Sequence, residues 1–499
     1  MTIRILLHIV LALLVCSCAS YSDEMETVLR MSGKNRGELE KVLKRYGKHP
    51  ADSLKLRAAE FLIVNMPGKC SVFYDAPWND AATVFLRWTS SSDKQMVLDE
   101  YQLGEKIGKY DLLHITGDYL INHIELAFKV WEEMPWGKDI PFDVFCEEIL
   151  PCRIGNEPLE NWREKVLACY SDLYDLFRDD TTGITPFEAC CRMVYRMPRL
   201  RLDKDFPHMS FSQLMASTRG TCPNMAHLAI FGMRGMGIPV TYDFSLLQYG
   251  FASGHTWNCV NNGNNAYHPF MGTESSPEYP VTGTDIFKAK VYRKVYADQR
   301  HVILDKENIP PLLHGINHMI DVTAEYDCCT DVRIPVQNPD LNKTGYVFLA
   351  IFHNRAWQPI GWGLVENDSM RFQSVNSGLY MPVYYQKGHI SPASNPFFID
   401  SIGGLHMLRP DTKNTVSLSD IRYMPDAKET GIYKGHVYEL FYWEGNDWQS
   451  LGEQTAIGHT LQYEAPANAL FMLENVSLKK ANSKLFYVDD GGQRWVRYD

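Results

Sequence analysis

Arg219-Gly220-Thr221-Cys222-Pro223-Asn224-Met225-Ala226-His227-Leu228-Ala229-Ile230-Phe231-Gly232-Met233-Arg234-Gly235-Met236-Gly237-Ile238-Pro239 reads as turn, helix, turn. Pro223 suits the first helical position, where its missing N–H leaves no bond unmade, and this puts Cys222 at the N-cap. A thiol there faces the positive end of the helix. Unpaired N–H groups and the macrodipole favour the thiolate, so the pKa is expected below the ordinary value of about 8.5, and the cysteine becomes a nucleophile. Ala226, Ala229, Ile230 and Met233 form an apolar face that buries the helix, and Gly235 and Gly237 end it. Ile238 to Phe244 then reads as a strand.

A thiolate needs a base or an imidazolium partner. Thirty-three residues beyond Cys222 stands Gly254-His255-Thr256-Trp257-Asn258-Cys259-Val260, an alternating strand with His255, Trp257 and Cys259 on one face. His255 is the candidate partner. Asn261-Asn262-Gly263-Asn264 makes a hairpin turn, and Ala266-Tyr267-His268-Pro269-Phe270 begins the returning strand.

Gly220-x-Cys222, the helix ending Arg234-Gly-Met-Gly-Ile-Pro239, and His255-x-Trp257, in this order and spacing, resemble the transglutaminase-like superfamily. That is a papain-like cysteine fold which includes bacterial cysteine proteases, amidases, peptide N-glycanases and transglutaminases. Upstream, Pro141-Phe142-Asp143-Val144-Phe145, Leu150-Pro151-Cys152-Arg153, Glu157-Pro158-Leu159 and Trp162-Arg163 resemble bacterial lipoproteins in which helices precede this core and β modules follow it. The resemblance covers residues 140 to 300 firmly and the flanks loosely. It implies a fold of class α+β, and amide chemistry at Cys222 and His255.

The sequence departs from the family at the third residue. The resemblance implies an Asp about fifteen residues after the histidine, but the chain there reads Phe270-Met271-Gly272. Glu274, His268 and Asn265 are candidate substitutes, and Asp285 is a more distant one. An amide or a backbone carbonyl can also hold a tautomer in part.

At 499 residues the chain allows about three or four domains and a large core. Lys+Arg number 49 against 60 Asp+Glu, a net charge of −11 without a basic run, so nucleic acid is not an expected partner. Arg4 followed by the apolar stretch Ile5 to Val15 reads as a signal peptide, because helix of that length rises only about 16 Å and falls short of a bilayer core. Val15-Cys16-Ser17-Cys18 resembles a lipobox with Cys18 as the lipidated residue, and cleavage before Cys16 is the runner-up. Ser22-Asp23-Glu24 is similar to an acidic signal for the outer surface, so the expected location is the outer membrane or cell surface, lipid-anchored.

Of twelve cysteines, ten lie beyond Cys18. Their spacing shows no dense framework and no CxxC, so a zinc ribbon is not expected. From Glu24 to about Asp180 apolar residues recur at helical spacing, notably at Glu38 to Leu43 and Leu54 to Met66, with further helices at Leu159 to Phe177 and Pro186 to Met197. Beyond Thr323 aromatic and β-branched runs predict two β-sandwich modules with a seam near Arg409 to Ser417. The expected domains are a signal peptide at 1–18, a helical region at 19–150, the transglutaminase-like core at 151–322, and β-sandwich modules at 323–412 and 413–499.

Set against simpler explanations, Cys259 lies about 13 Å along the strand from His255 and reads as packing. His314 and His318 lack the Glu of a metalloprotease helix, and Gly315 weakens that helix, so no metal is expected there or elsewhere. Trp357, Trp362, Tyr380, Tyr384, Tyr385, Trp443 and Trp448 are candidates for a sugar-stacking platform, although such rings more commonly fill a sandwich core. The expected function is a thiol hydrolase or transferase acting on a peptide, glycopeptide or cell-wall amide without a cofactor. The competing expectation is a surface protein that binds a glycan or protein on a scaffold without turnover.

Overall fold

The computed structural model describes residues 21–74, 106–203, 206, 208–247, 254–263, 266–279, 289–302, 304–421, 431–478, 484–489 and 492–496. Cys18 and the candidates Asn265 and Asp285 lie outside the described residues. Chain packing separates two units, Met1–Thr241 with Asn258–Pro280, and Tyr242–Trp257 with Val281–Asp499.

The first unit opens with helices α1 (Asp23–Met31), α2 (Arg36–Tyr46) and α3 (Ser53–Val64). Helix α2 buries Leu39, Val42, Leu43 and Tyr46, a spacing of three and four residues that puts one apolar stripe on the core. An antiparallel pair, β1 (Cys70–Tyr74) and β2 (Lys106–Tyr110), interrupts the region read as helical throughout. Next come α4 (Gly117–Glu133), α5 (Trp162–Cys169) and α6 (Ser171–Arg178). The single helix expected from Leu159 to Phe177 is thus two, because Tyr170 leaves the helical region with φ −125°. Helix α7 (Pro186–Arg196) begins as its sequence predicts, with Pro186 in the first turn and Thr185 closing a capping box with Glu188. Then follow strand β3 (Arg201–Leu202), helix α8 (Phe211–Ala216), strand β4 (Arg219–Gly220) and helix α9 (Cys222–Gly235).

Three buried arginines knit this unit around α9. Arg153 makes a bidentate bridge to Asp111 (Nε 2.5 Å, Nη2 2.6 Å) and also donates to Ser71 Oγ and the Glu157 carbonyl. Arg163 donates to the carbonyls of Ile149 and Arg234, and Arg234 donates to those of Glu147 and Glu148. Burial, with the Arg234 charge adding to it, pushes Arg163 down to about 9, and burial pushes Arg234 down to about 10 against the Glu147, Glu148 and Glu157 charges that raise it. These contacts account for Arg153, Trp162-Arg163 and Arg234 in the sequence as scaffold: the Trp162 indole also donates to the Cys152 carbonyl.

Strands β5 (Val240–Ser245) and β6 (His255–Asn261) each pass through both units. Within the first unit Asn258 Nδ2 donates to the Thr241 carbonyl at 2.9 Å, and β6 pairs antiparallel with β7 (Tyr267–Phe270) in the register Asn258↔Phe270 to Asn261↔Tyr267. Within the second, β5 pairs antiparallel with β8 (Tyr292–Lys294), and β8 with β9 (Met319–Asp321).

The rest of the second unit is β-rich. An eight-stranded sheet has at its centre β10 (Tyr346–His353), flanked antiparallel by β11 (Ala356–Glu366) and β12 (Gly378–Gln386). A five-stranded sheet has β13 (Val437–Glu444) beside β14 (Phe471–Asn475). One buried cluster draws Phe348, Phe352 and Met381 from the former stretch and Trp443, Met472 and Leu485 from the latter, so the two stretches share a core. The candidate sugar platform is divided between two buried clusters: Trp357 and Trp443 belong to this one, with Trp362, Tyr385 and Trp448 packed against it, and Tyr380 and Tyr384 belong to a second. Among the described residues no helix is long and apolar enough to cross a membrane.

Candidate functional site

Cys222 is the first residue of α9, and the N-cap is Thr221, one place earlier than the sequence reading assigned. Thr221 and Asn224 form the cap: the Asn224 N–H donates to Thr221 Oγ1 at 3.4 Å, and the Thr221 N–H donates to Asn224 Oδ1 at 3.0 Å. A side-chain acceptor three residues ahead serves the helix better than a thiol does, and Pro223 fits the second helical position equally well. Gly220 is required just upstream, because a Cβ there would lie 2.9 Å from Asn224 Cβ. Helix α9 is buried from Asn224 to Gly235, while Cys222 itself is half-buried.

The expected lowering of the Cys222 pKa is not what its surroundings produce. Burial pushes the thiol up, and the nearby Glu274 carboxylate adds to the rise. Glu274 comes from the turn that follows β7, held by the Glu274 N–H on the Met271 carbonyl at 2.7 Å and by the Met271 N–H on Ser275 Oγ at 3.2 Å. Gly272, at φ +49°, lets this turn close on α9: a Cβ there would stand 2.8 Å from the Met225 carbonyl carbon. Burial raises the Glu274 carboxyl as well, against the Arg199 charge that lowers it. Of the substitute acids, then, Glu274 lies beside the cysteine. His268 instead packs edge-on against Phe187, ring centroids 4.9 Å apart.

His255 is the first residue of β6 and belongs to the second unit. Its ring lies 5.9 Å from that of Trp257, tilted by 31°. Trp257 is buried, and its indole N–H donates to Tyr326 Oη at 2.7 Å. Tyr326 in turn donates to Asp243 Oδ2 at 2.7 Å. Asp243, fully buried on β5, also takes a bidentate bridge from Arg293, 2.9 Å from Nε to Oδ1 and 2.8 Å from Nη2 to Oδ2. Sequence reasoning passed over Asp243, Tyr326 and Arg293. The one signal was an acid in the middle of an otherwise apolar and aromatic strand, a position that needs a cation to be tolerated.

The remaining predicted residues fall elsewhere. Cys259 is buried near Cys190 on α7. His314 and His318 sit on separate short turns and bond to the carbonyls of Ile309 and Ala297. One constellation of metal-ligand type occurs among the described residues: Glu157, His208 and His227, with ligand atoms within 4.8 Å of one another. The loop beneath it already engages these groups. The Ile154 and Gly155 N–H groups donate to the two Glu157 oxygens at 2.7 and 2.6 Å, and the Asn156 N–H donates to His208 Nδ1 at 2.9 Å. That last bond engages the lone pair of His208 Nδ1. These bonds tie Glu157 and His208 to the loop, and the His227 ring on α9 meets the His208 ring edge-on at 4.7 Å.

No protein-family profile matches the chain, and no curated protein matches it. Among solved structures it has a distant likeness to the transglutaminase of red sea bream, with 10% identity over 85% of this chain and 76% of that one, at a TM-score of 0.21. A likeness of that degree transfers no residue role.

Proposed function

We propose that the protein is a transglutaminase-like thiol enzyme acting on an amide bond. The observation that carries this reading is the seat of Cys222: half-buried, at the first position of a capped helix whose remainder is buried. Motif order supplies His255 as its partner. In the proposed reaction the Cys222 sulfur attacks the amide carbonyl, the Cys222 N–H with one upstream donor holds the oxyanion, and the His255 imidazolium protonates the departing amine. Water, or a second amine, then releases the acyl group from the thioester. The raised Cys222 thiol makes the imidazolium essential, because the helix end alone does not keep the sulfur ionised.

The substrate class that suits this chemistry is a peptide, glycopeptide or cell-wall amide. In the same reading Cys18 carries a lipid anchor and the chain works outside the cytoplasm, with the domain divisions at 151, 323 and 413. Mass spectrometry of the amino-terminal peptide tests the anchor: a diacylglyceryl Cys18 is expected, and an unmodified amino terminus contradicts it. Thioester trapping with peptide and cell-wall amides tests the reaction, with Cys222→Ser as the control. The raised thiol also favours one second reading, a binding protein without turnover, for which Cys222 remains unreactive at neutral pH.

A further inference from the structure

Glu274 is the one exposed residue in the stretch Gly272–Pro277: Gly272, Thr273, Ser275, Ser276 and Pro277 are all buried. The stretch is fixed. The Glu274 N–H on the Met271 carbonyl and the Met271 N–H on Ser275 Oγ close the turn, and Gly272 packs against the backbone of Met225 in α9. Met225 stands three residues after Cys222, and residues so spaced share one face of a helix. The turn thus rests on the face that carries the cysteine, and it displays the Glu274 carboxylate to solvent there. Among the described residues Glu274 closes no ion pair and no side-chain hydrogen bond, and Arg199 is the cation whose charge reaches it. Glu274 is also the one charged side chain among them that bears on the Cys222 thiol.

We propose that Glu274 is a specificity residue that seats a cationic group, ammonium or guanidinium, carried by the substrate next to the amide bond attacked by Cys222. The inference rests on the reading of Cys222 as the nucleophile and narrows its substrate to cationic amides. A bare carboxylate at this place works against the free protein, because it opposes ionisation of the thiol that must attack. A neutral side chain on the same turn would serve the fold equally well. A cation seated on Glu274 cancels the opposing charge, so a substrate that carries one removes the obstacle as it binds. Because the carboxylate is exposed, the pair adds little affinity by itself and acts as a selector between substrates.

The test uses three methanethiosulfonates on the purified full chain, one bearing a trimethylammonium group, one a sulfonate, and the neutral methyl reagent. In each case the Cys222 sulfur forms a mixed disulfide with the reagent's outer sulfur and methanesulfinate departs, and mass spectrometry of the Cys222 peptide gives the rate. The ratio of cationic to anionic rates cancels the thiolate fraction, so it reads the charge beside the sulfur and not the pKa of the thiol. Glu274→Gln is expected to lower this ratio by up to about tenfold at low salt, the effect of one unit charge about 6 Å away in water. Glu274→Asp should keep the ratio, and Glu278→Gln, which removes the next exposed acid of the chain, should leave it close to wild type. Molar salt should erase the difference, because the screening length falls to about 3 Å. A ratio that is the same in Glu274→Gln as in the wild type, or that falls as far in Glu278→Gln, overturns the proposal, and so does a Cys222 that none of the reagents reaches in alkali. The rates themselves separate the two readings. If the ratio collapses in Glu274→Gln while His255→Ala leaves every rate unchanged, the cation seat stands and the catalytic pair falls. If the rates fall in His255→Ala while the ratio ignores Glu274→Gln, the pair stands and the cation seat falls.

Discussion

The Glu274 carboxylate bears on the Cys222 thiol and opposes its ionisation, adding to what burial already does. The two residues come from separate elements, a helix start and a turn after β7, and Gly272 is what lets the turn approach. Glu274→Gln should therefore move the midpoint of Cys222 alkylation to lower pH, by up to about one unit for a partly exposed pair. Iodoacetamide rates between pH 6 and 10 read this directly. An unchanged midpoint would place the Glu274 charge too far away to matter.

Gly272→Ala should damage the same junction. The added methyl meets the Met225 backbone and the residue is held at φ +49°, so a loss of about 1–3 kcal/mol is expected. Urea melts give the number. Gly263, which also has positive φ but has open space around it, serves as the control and should lose less in Gly263→Ala.

Arg153→Ala strands Asp111, since both members of that bridge are buried. Removing one partner of a buried pair costs about 3–5 kcal/mol, well above the 0–1 kcal/mol of an exposed pair. Arg196→Ala breaks the exposed bridge to Asp172 and should be close to neutral by comparison.

Stability should decline in alkali. Burial pushes Cys152 up to about 11 and Cys146 up to about 12 in the folded chain, against 9.0 for an unburied thiol. A group whose folded pKa is raised contributes stability that is complete below the unfolded value and lost as pH climbs through the folded one. The window is therefore pH 9 to about 12. Melting midpoints should fall there, and Cys152→Ala with Cys146→Ala should flatten the decline.

The helices around the nucleophile were legible because their signals are local. Thr185-Pro186 and Glu188 close a capping box that any reader of four residues can find, and the stripe in α2 follows from a three-and-four spacing. The cap of α9 was misplaced by one residue because Pro is tolerated at either of the first two helical positions, and Thr221 with Asn224 decides between them. The Cys222 pKa was misjudged for a different reason: Glu274 lies fifty-two residues away in the chain, and no local pattern reports its approach. The same holds for Tyr326 and Asp243, eighty-three residues apart and joined by one hydrogen bond. The shared core of Phe348 and Trp443 was likewise invisible to a reading that treats each β stretch alone.

Whether Cys222 reacts through His255 is decided by the pH profile of Cys222 alkylation in the full chain, measured beside His255→Ala. With an imidazolium beside it, the wild-type thiol should label well below the ordinary thiol pKa of about 8.5, and His255→Ala should abolish this. Labelling that starts only above that pH, or is the same in His255→Ala, would contradict it.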